Sequence, residues 1–466
     1  MKVWTAWWKI VTELRPAFSR EKSFHWFALC LAAMCCRIDT VGVTSFVRTL
    51  GLRSSTYERM LDVFHSKAIC LNLLTKLWVK IVLNYYPGIL VVNNRIILAA
   101  DGIKKQKSGK KMPSVKLLHQ ESESNTKAEY IMGHSCQAIG VLIKSLNSVF
   151  CLPLVSRIHE GIIESNRDKR TLMDKLINMI QPLEISISFY LVADAYYGNK
   201  KIIEGVLKNG NHLVCRARSN SVGYLEPPLK TGKKGRPKKY GEKIKISDLW
   251  QLEKDHVIIA ESPVYGERNV QIKYVSRQLI VGFCKHPVLY VLVDNPNRGK
   301  IMLMTTDLTM DPMDVIKVYG LRFKIEVAFK QAVWTLGTYS YRFWMKKMKP
   351  TKRREGDRYI HKEIEEYRNA IHRKIRAYHI HIQMGTIAQG ILQLISATES
   401  TSVWSGFGSW LRTVRPGLCP SEKVTAVSMR NELPEFLATT GSGENFKKFL
   451  QDRLDLDRAE GVLMVS

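Results

Sequence analysis

The sequence predicts an α/β core built on a mixed sheet, interrupted by a β-rich insertion and flanked by helical N- and C-terminal regions. Three observations predict it. Apolar, strand-like runs alternate with helical stretches between residues 94 and 217. Short β-branched and aromatic runs crowd residues 218–310. Towards both ends, apolar residues recur at the three-to-four spacing of helices.

Residues 1–93 read as helical, with Phe27, Leu31 and Met34 on one stripe and Leu71, Leu74, Leu77 and Val82 on another. Between them Gly51 stops one helix and Ser54 or Ser55 caps the next. This resembles a helix-turn-helix, with an ordinary helical hairpin as the alternative. Residues 94–217 carry strands at 95–101, 136–144, 149–156, 187–194 and 211–217, and helices over Asn166–Ile180 and Asn199–Lys208. Three strands, a helix, a strand, a helix and a strand make a mixed sheet. This order resembles the RNase H-like fold, a resemblance that implies first and fourth strands side by side and parallel, about 4.8 Å apart.

Residues 218–310 open on a Pro-, Gly- and Lys-rich stretch, 227–241. Strand-like runs follow at 256–260, 270–275, 278–283, 288–293 and 301–305. The core resumes over 311–345 with one helix: Asp311 is a good N-cap, Pro312 suits the first helical position, and Asp314 complements the dipole. Residues 346–466 are helical, densely charged from Lys346 to Arg376.

Lys and Arg number 71 against 42 Asp and Glu, a net charge of +29. Such an excess selects a polyanionic partner, above all nucleic acid, and disfavours carbohydrate chemistry by paired carboxylates. At 45% hydrophobic residues the chain can bury a sizeable core. The 9 cysteines are odd in number and form no C-x-x-C pair. They read as reduced, buried residues of a cytoplasmic protein, not as a zinc ribbon or a disulfide framework. Lys9, Glu13 and Arg15 break the N-terminal apolar stretch, so no signal peptide is expected. The run His25–Cys36 is too short to span a bilayer and reads as a buried helix, so no membrane partner is expected. His379 and His381 diverge by about 200° on a helix and are not a metal pair. His134 reads as structural.

The chemistry rests on three acids. Asp101 follows Ile96-Ile97-Leu98-Ala99-Ala100, and Asp194 follows Phe189-Tyr190-Leu191-Val192-Ala193. Both read as strand ends with small residues just before the acid. Further on, Tyr319, Arg322, Glu326 and Lys330 are spaced three, four and four apart and share one helical stripe. Taken singly, such aspartates are turn formers and such a glutamate makes an i,i+4 ion pair. Together they can clamp two Mg²⁺ ions about 3.5–4 Å apart, a device for phosphodiester chemistry. Two basic stretches suit that substrate: Lys104, Lys105, Lys107, Lys110 and Lys111 after the first acid, and Lys230–Lys239, with Arg236, Lys238 and Lys239, in the insertion.

Over about residues 95–335 the chain resembles a DDE transposase of a bacterial insertion sequence, in the group with the Y-x2-R-x3-E-x6-K signature. Tyr319, Arg322 and Glu326 match that signature in type and spacing. Its final lysine position holds Val333, and Lys330 lies one turn earlier on the same face. The resemblance implies an RNase H-like catalytic core at 94–217 and 311–345, with a helical DNA-binding domain at 1–93. It implies that Asp101, Asp194 and Glu326 are catalytic and hold Mg²⁺, for which Mn²⁺ can substitute. Tyr319, Arg322, Lys330 and the two basic loops would contact DNA. Trp250, in preference to Tyr240, would receive a flipped base, with an ordinary core tryptophan as the alternative reading. Metal-activated water would nick the element's end, and the freed 3′-OH would attack target DNA. The implied partners are double-stranded DNA, as terminal inverted repeats and target, and a second copy of the chain in a synaptic homodimer, at the bacterial nucleoid. The alternatives are an RNase H-like nuclease without strand transfer and an inactive DNA-binding relative.

Overall fold

The apolar runs around the acids form the centre of a sheet. In the computed structural model, which describes residues 2–86, 88–120, 128–228, 238–284, 286–408 and 414–457, five strands make this centre. They are β1 (Arg95–Gln106), β2 (Tyr130–Ser145), β3 (Ser148–Ile158), β4 (Phe189–Ala193) and β5 (His212–Arg216). Their order is β3-β2-β1-β4-β5. β1 runs antiparallel to β2 and parallel to β4, and β4 parallel to β5. The first and fourth strands are therefore adjacent and parallel, as expected. Ile96, Leu98 and Ala100 enter one core while Ile97 and Ala99 enter the other. A strand covered on both faces has no polar side, which is why these segments read as unbroken apolar runs.

The insertion does not form a layer of its own. Its strands β6 (Val222–Tyr224), β7 (Gln271–Ile280), β8 (Pro287–Asn295) and β9 (Gly299–Thr305) extend the same sheet in the order β5-β9-β8-β7-β6. β9 pairs antiparallel with β5, from Leu303 opposite Arg216 to Thr305 opposite Val214. It covers what would otherwise be an exposed sheet edge. The two runs expected at 270–275 and 278–283 are one strand, β7, paired along its length with β8.

Helices α1 (Leu172–Ile180) and α2 (Lys200–Leu207) pack on one face of the sheet. α1 starts later than its sequence suggests because Thr171 and Asp174 form a capping box there. On the opposite face lie α3 (Pro312–Gly320) and α4 (Lys324–Trp334). Asp311 caps α3 by accepting a bond from Met313 N at 2.7 Å. The single helix expected here is broken. From Leu321 to Glu326 the backbone closes i→i−3 bonds, among them Arg322 N to Tyr319 O at 3.0 Å and Glu326 N to Phe323 O at 3.0 Å. Gly320, a weak helix former, stands at the break, where an added Cβ would lie 3.2 Å from Val264 Cγ1.

The two ends of the chain form one helical body. Trp4 stacks on Phe436 at 5.2 Å, and its Nε1 donates to Met429 O at 2.7 Å. Helix α5 (Glu365–Thr398) is buried all round from Ala377 to Ser396 and contacts helices Glu21–Cys36 and Thr56–His65 as well as β3. Helix Thr56–His65 exposes Glu58, Arg59, Asp62 and His65, and Ser55 makes no cap bond. That face carries two acids beside Arg59 and His65. His381 is buried and His379 half-buried, and desolvation lowers each to about 3. His134 is buried between Tyr341 Oη at 2.7 Å and Pro113 O at 2.9 Å, a structural role. All nine cysteines are unpaired, and seven are buried. Among the described residues no helix is long and apolar enough to cross a membrane.

Candidate active site

The sheet register positions two of the three acids. The β1–β4 ladder ends with Ala99 opposite Val192. Two residues further along lie Asp101, still within β1, and Asp194, just past the end of β4. Asp101 does not end its strand, contrary to the expectation. β2 is long enough to keep β1 paired out to Gln106, whereas β4 stops at Ala193. The two acids thus stand where β1 and β4 part. Asp101 Oδ1 accepts a bond from Gly102 N at 2.7 Å. Asp194 Oδ1 accepts one from Ala195 N at 2.7 Å, capping the turn Ala195–Tyr197.

Arg322 connects this pair to the third acid. Its Nη1 donates to Asp101 Oδ2 at 3.0 Å and its Nη2 to Glu326 Oε1 at 2.7 Å. Burial pushes the Asp101 carboxyl above its ordinary value, and repulsion from Glu326 and Asp194 adds to this, against the opposing pull of Gly102 N–H and Arg322. Burial works to lower Arg322, but Asp101, Tyr319, Glu326 and Asp194 outweigh it and hold the guanidinium above its usual range. The three acids line one open cleft of about 700 Å³, with Lys104, His119, Tyr196 and Phe329 on its walls.

Among the described residues, no three Asp, Glu, His or Cys side chains are close enough together to hold a metal ion as they stand. Arg322 occupies the gap between Asp101 and Glu326. The donor set itself fits a hard divalent cation: carboxylate oxygens only, mutually repelling around one cleft. Glu326 is 55% exposed.

Tyr319 lies close to this cluster. Its phenol is raised by burial, with Asp194 acting in the same direction and Arg322 and Arg216 against it. Lys330 is exposed one turn beyond Glu326, and Lys104 reaches from the cleft wall to His119 O at 2.7 Å. Lys105 is half-buried in β1, and Lys110 and Lys111 are exposed. Lys107, expected to face DNA, is buried instead. Its ammonium sits 3.6 Å from the centre of the Tyr341 ring and donates to Tyr339 O and Tyr341 O, and burial lowers it to about 7. Arg236 lies outside the described residues. Lys238 and Lys239 are exposed beside β6, at the far edge of the sheet. Trp250 is not in the cleft either. It is half-buried in the helical turn Leu249–Leu252 against the core, with the Lys300 ammonium 5.7 Å from its ring centre. Tyr240 stacks on Tyr224 at 4.8 Å and donates to Gly282 O. Five strand-to-strand steps, about 24 Å, separate β6 from β4.

Two residues near the acids were not singled out from the sequence. Arg216 ends β5, one residue past the Ala193–Cys215 pair, and it is close enough to lower the Tyr319 phenol. Tyr196 is 51% exposed on the cleft wall, two residues after Asp194. The signal for Arg216 was its place at the end of the third parallel run, Leu213-Val214-Cys215.

Residues 13–274 match the family described as DDE superfamily endonuclease, a span that includes Asp101 and Asp194 and ends before Glu326. No curated protein matches the sequence. Among solved structures, the cryo-EM structure of a piggyBac transposase synaptic complex with hairpin DNA aligns at 11% identity and a TM-score of 0.38, covering 93% of this chain and 76% of that one.

Proposed function

Because the chain belongs to the DDE superfamily endonucleases, we propose that it is a Mg²⁺-dependent transposase that cuts and joins the DNA ends of an insertion sequence. One observation carries the reading: Asp101, Asp194 and Glu326, from two strands and a helix far apart in sequence, line a single cleft. The net charge of +29 supports DNA as the substrate.

Those three carboxylates would hold Mg²⁺, or Mn²⁺ in its place, which supplies Lewis-acid stabilisation of the attacking and leaving oxygens of an in-line displacement. The chain's own groups do the rest. Gly102 N–H and Ala195 N–H hold the aspartates in orientation. Arg322, released from Glu326, grips non-bridging phosphate oxygens with its planar fork. Tyr319 and Arg216 steady the same phosphate, and Lys104 and Lys330 hold its neighbours, contacts that are sequence-independent and weakened by salt. Water first opens the strand to leave a 3′-OH, and that hydroxyl then attacks a target phosphodiester. The substrates are the terminal inverted repeats and target DNA. Two ends brought together call for two copies of the chain.

The test uses a supercoiled plasmid carrying the reading frame with its flanking DNA, incubated with purified protein in Mg²⁺, Mn²⁺ or EDTA. Nicked and excised products with 3′-OH ends are expected in either metal and none in EDTA, with joined product when a second plasmid is present. Cutting without joining reduces the reading to a nuclease. No cutting in any metal removes the enzyme altogether.

A further inference from the structure

The strand that carries Asp101 continues past it into a basic loop, and that loop is fastened to a second basic segment. Residues 104–116 contain six lysines and 342–354 seven lysines and arginines, and neither stretch has an acid. Three bonds join them: Met345 N to Lys111 O at 3.0 Å, Thr351 N to Lys110 O at 2.7 Å, and Lys111 Nζ to Lys346 O at 3.0 Å.

In the middle of this surface Trp344 is 64% exposed. It is not loosely held. Phe343 and Met345 on either side are buried, so the segment alternates inward and outward and presents Arg342, Trp344 and Lys346 to solvent. The indole also lies against Gly109, where an added Cβ would come within 2.8 Å of Trp344 Nε1. The nearby acids lie at the far ends of the two segments: Glu366 is 3.7 Å from Lys347 and Glu363 3.0 Å from Lys349, Glu355 accepts from Lys352 N, and Glu160 and Asp357 pair with Lys116. They leave the patch around Trp344 strongly positive.

A fixed, outward-facing indole among cations is the arrangement that binds an unpaired nucleic-acid strand: lysines track the phosphates and the ring stacks a base. We propose that Trp344, with Lys110, Lys111, Arg342 and Lys346, is a docking surface for single-stranded DNA, resting on the reading of the cleft as a DNA-cutting centre. Eight residues of extended chain, at most about 26 Å, separate Asp101 from Gly109. A strand freed at the cut reaches the indole across that distance.

The experiment measures binding in EDTA, where no metal-dependent step operates, so its outcome is independent of whether the chain cuts DNA. Fluorescein-labelled oligo-dT and a duplex of equal length are titrated with wild type, Trp344→Ala and Trp344→Phe, after their melting temperatures are shown to agree. Trp344→Ala weakens oligo-dT binding about 5- to 100-fold and Trp344→Phe recovers most of it, with duplex binding unchanged. An equal loss on duplex and single strand, or no loss on either, overturns the proposal.

Discussion

The two halves of the candidate site are built differently. Asp101 and Asp194 are held by sheet register and by a backbone N–H each, on strands buried on both faces. Glu326 and Arg322 come from a helix pair with a tightened turn between them, and Glu326 is largely exposed. Pairing with β2 fixes Asp101 within β1, and Asp194 follows the last residue of β4 and caps the turn after it. The helix-borne pair can exchange partners, because one guanidinium now bridges two carboxylates. One half of the cleft is preformed, and the other half is held by one side chain that bridges two carboxylates.

Removing the charge of the preformed half should have the largest effect. Asp194→Asn keeps an acceptor for Ala195 N–H but loses the carboxylate, so metal-dependent nicking should fall on the order of 10³-fold with the fold intact. Nicking within tenfold of wild type would dismiss the triad. Next in size is the support under the ladder. Leu98 is fully buried in β1, and Leu98→Ala should cost about 2–5 kcal/mol in denaturant unfolding. A cost well below that would mean that the register is not what holds the aspartates.

A smaller effect separates the two halves directly. With Arg322→Ala, Mn²⁺ binding to the DNA-free protein should tighten by about tenfold, or roughly 1.4 kcal/mol, while cutting falls. Isothermal titration reads the first and the plasmid assay the second. Weaker Mn²⁺ binding would show that the arginine supports the cation and does not exclude it.

The smallest effect is a stability difference with a defined sign. Asp101 has a folded pKa raised above its ordinary 3.8, so the native state binds more protons and this group loses stability as pH rises through that window. Asp101→Asn should therefore melt above wild type at pH 7 in EDTA. The gap should close as the pH falls below 3.8, and Mg²⁺ should reverse the order by stabilising only the wild type.

What the sequence disclosed follows the same division. The strands around Asp101 and Asp194 were legible because burial on both faces leaves unbroken apolar runs. The start of α3 was legible because Asp311 and Pro312 are local signals. Four features depend on tertiary partners that spacing does not encode. The turn at 321–323 forms where Gly320 packs under Val264. Lys107 is buried because Tyr341, far along the chain, offers its ring. The insertion joins the core sheet because β5 has an edge to cover. Trp250 and the lysines at 238 and 239 end up across the sheet because strand order, not proximity in sequence, sets their distance from Asp194.

The contact between Trp4 and Met429 has a consequence for how this protein comes into being. The helix Lys2–Thr12 is covered by residues that are synthesised more than 400 positions later. Until then Trp4 and Trp7 lack the rings of Phe436 and Phe446, and a nascent or truncated chain carries a partly uncovered tryptophan face into the cell. A message cut short before Met429 should therefore yield a product for proteases and chaperones, not a smaller working enzyme.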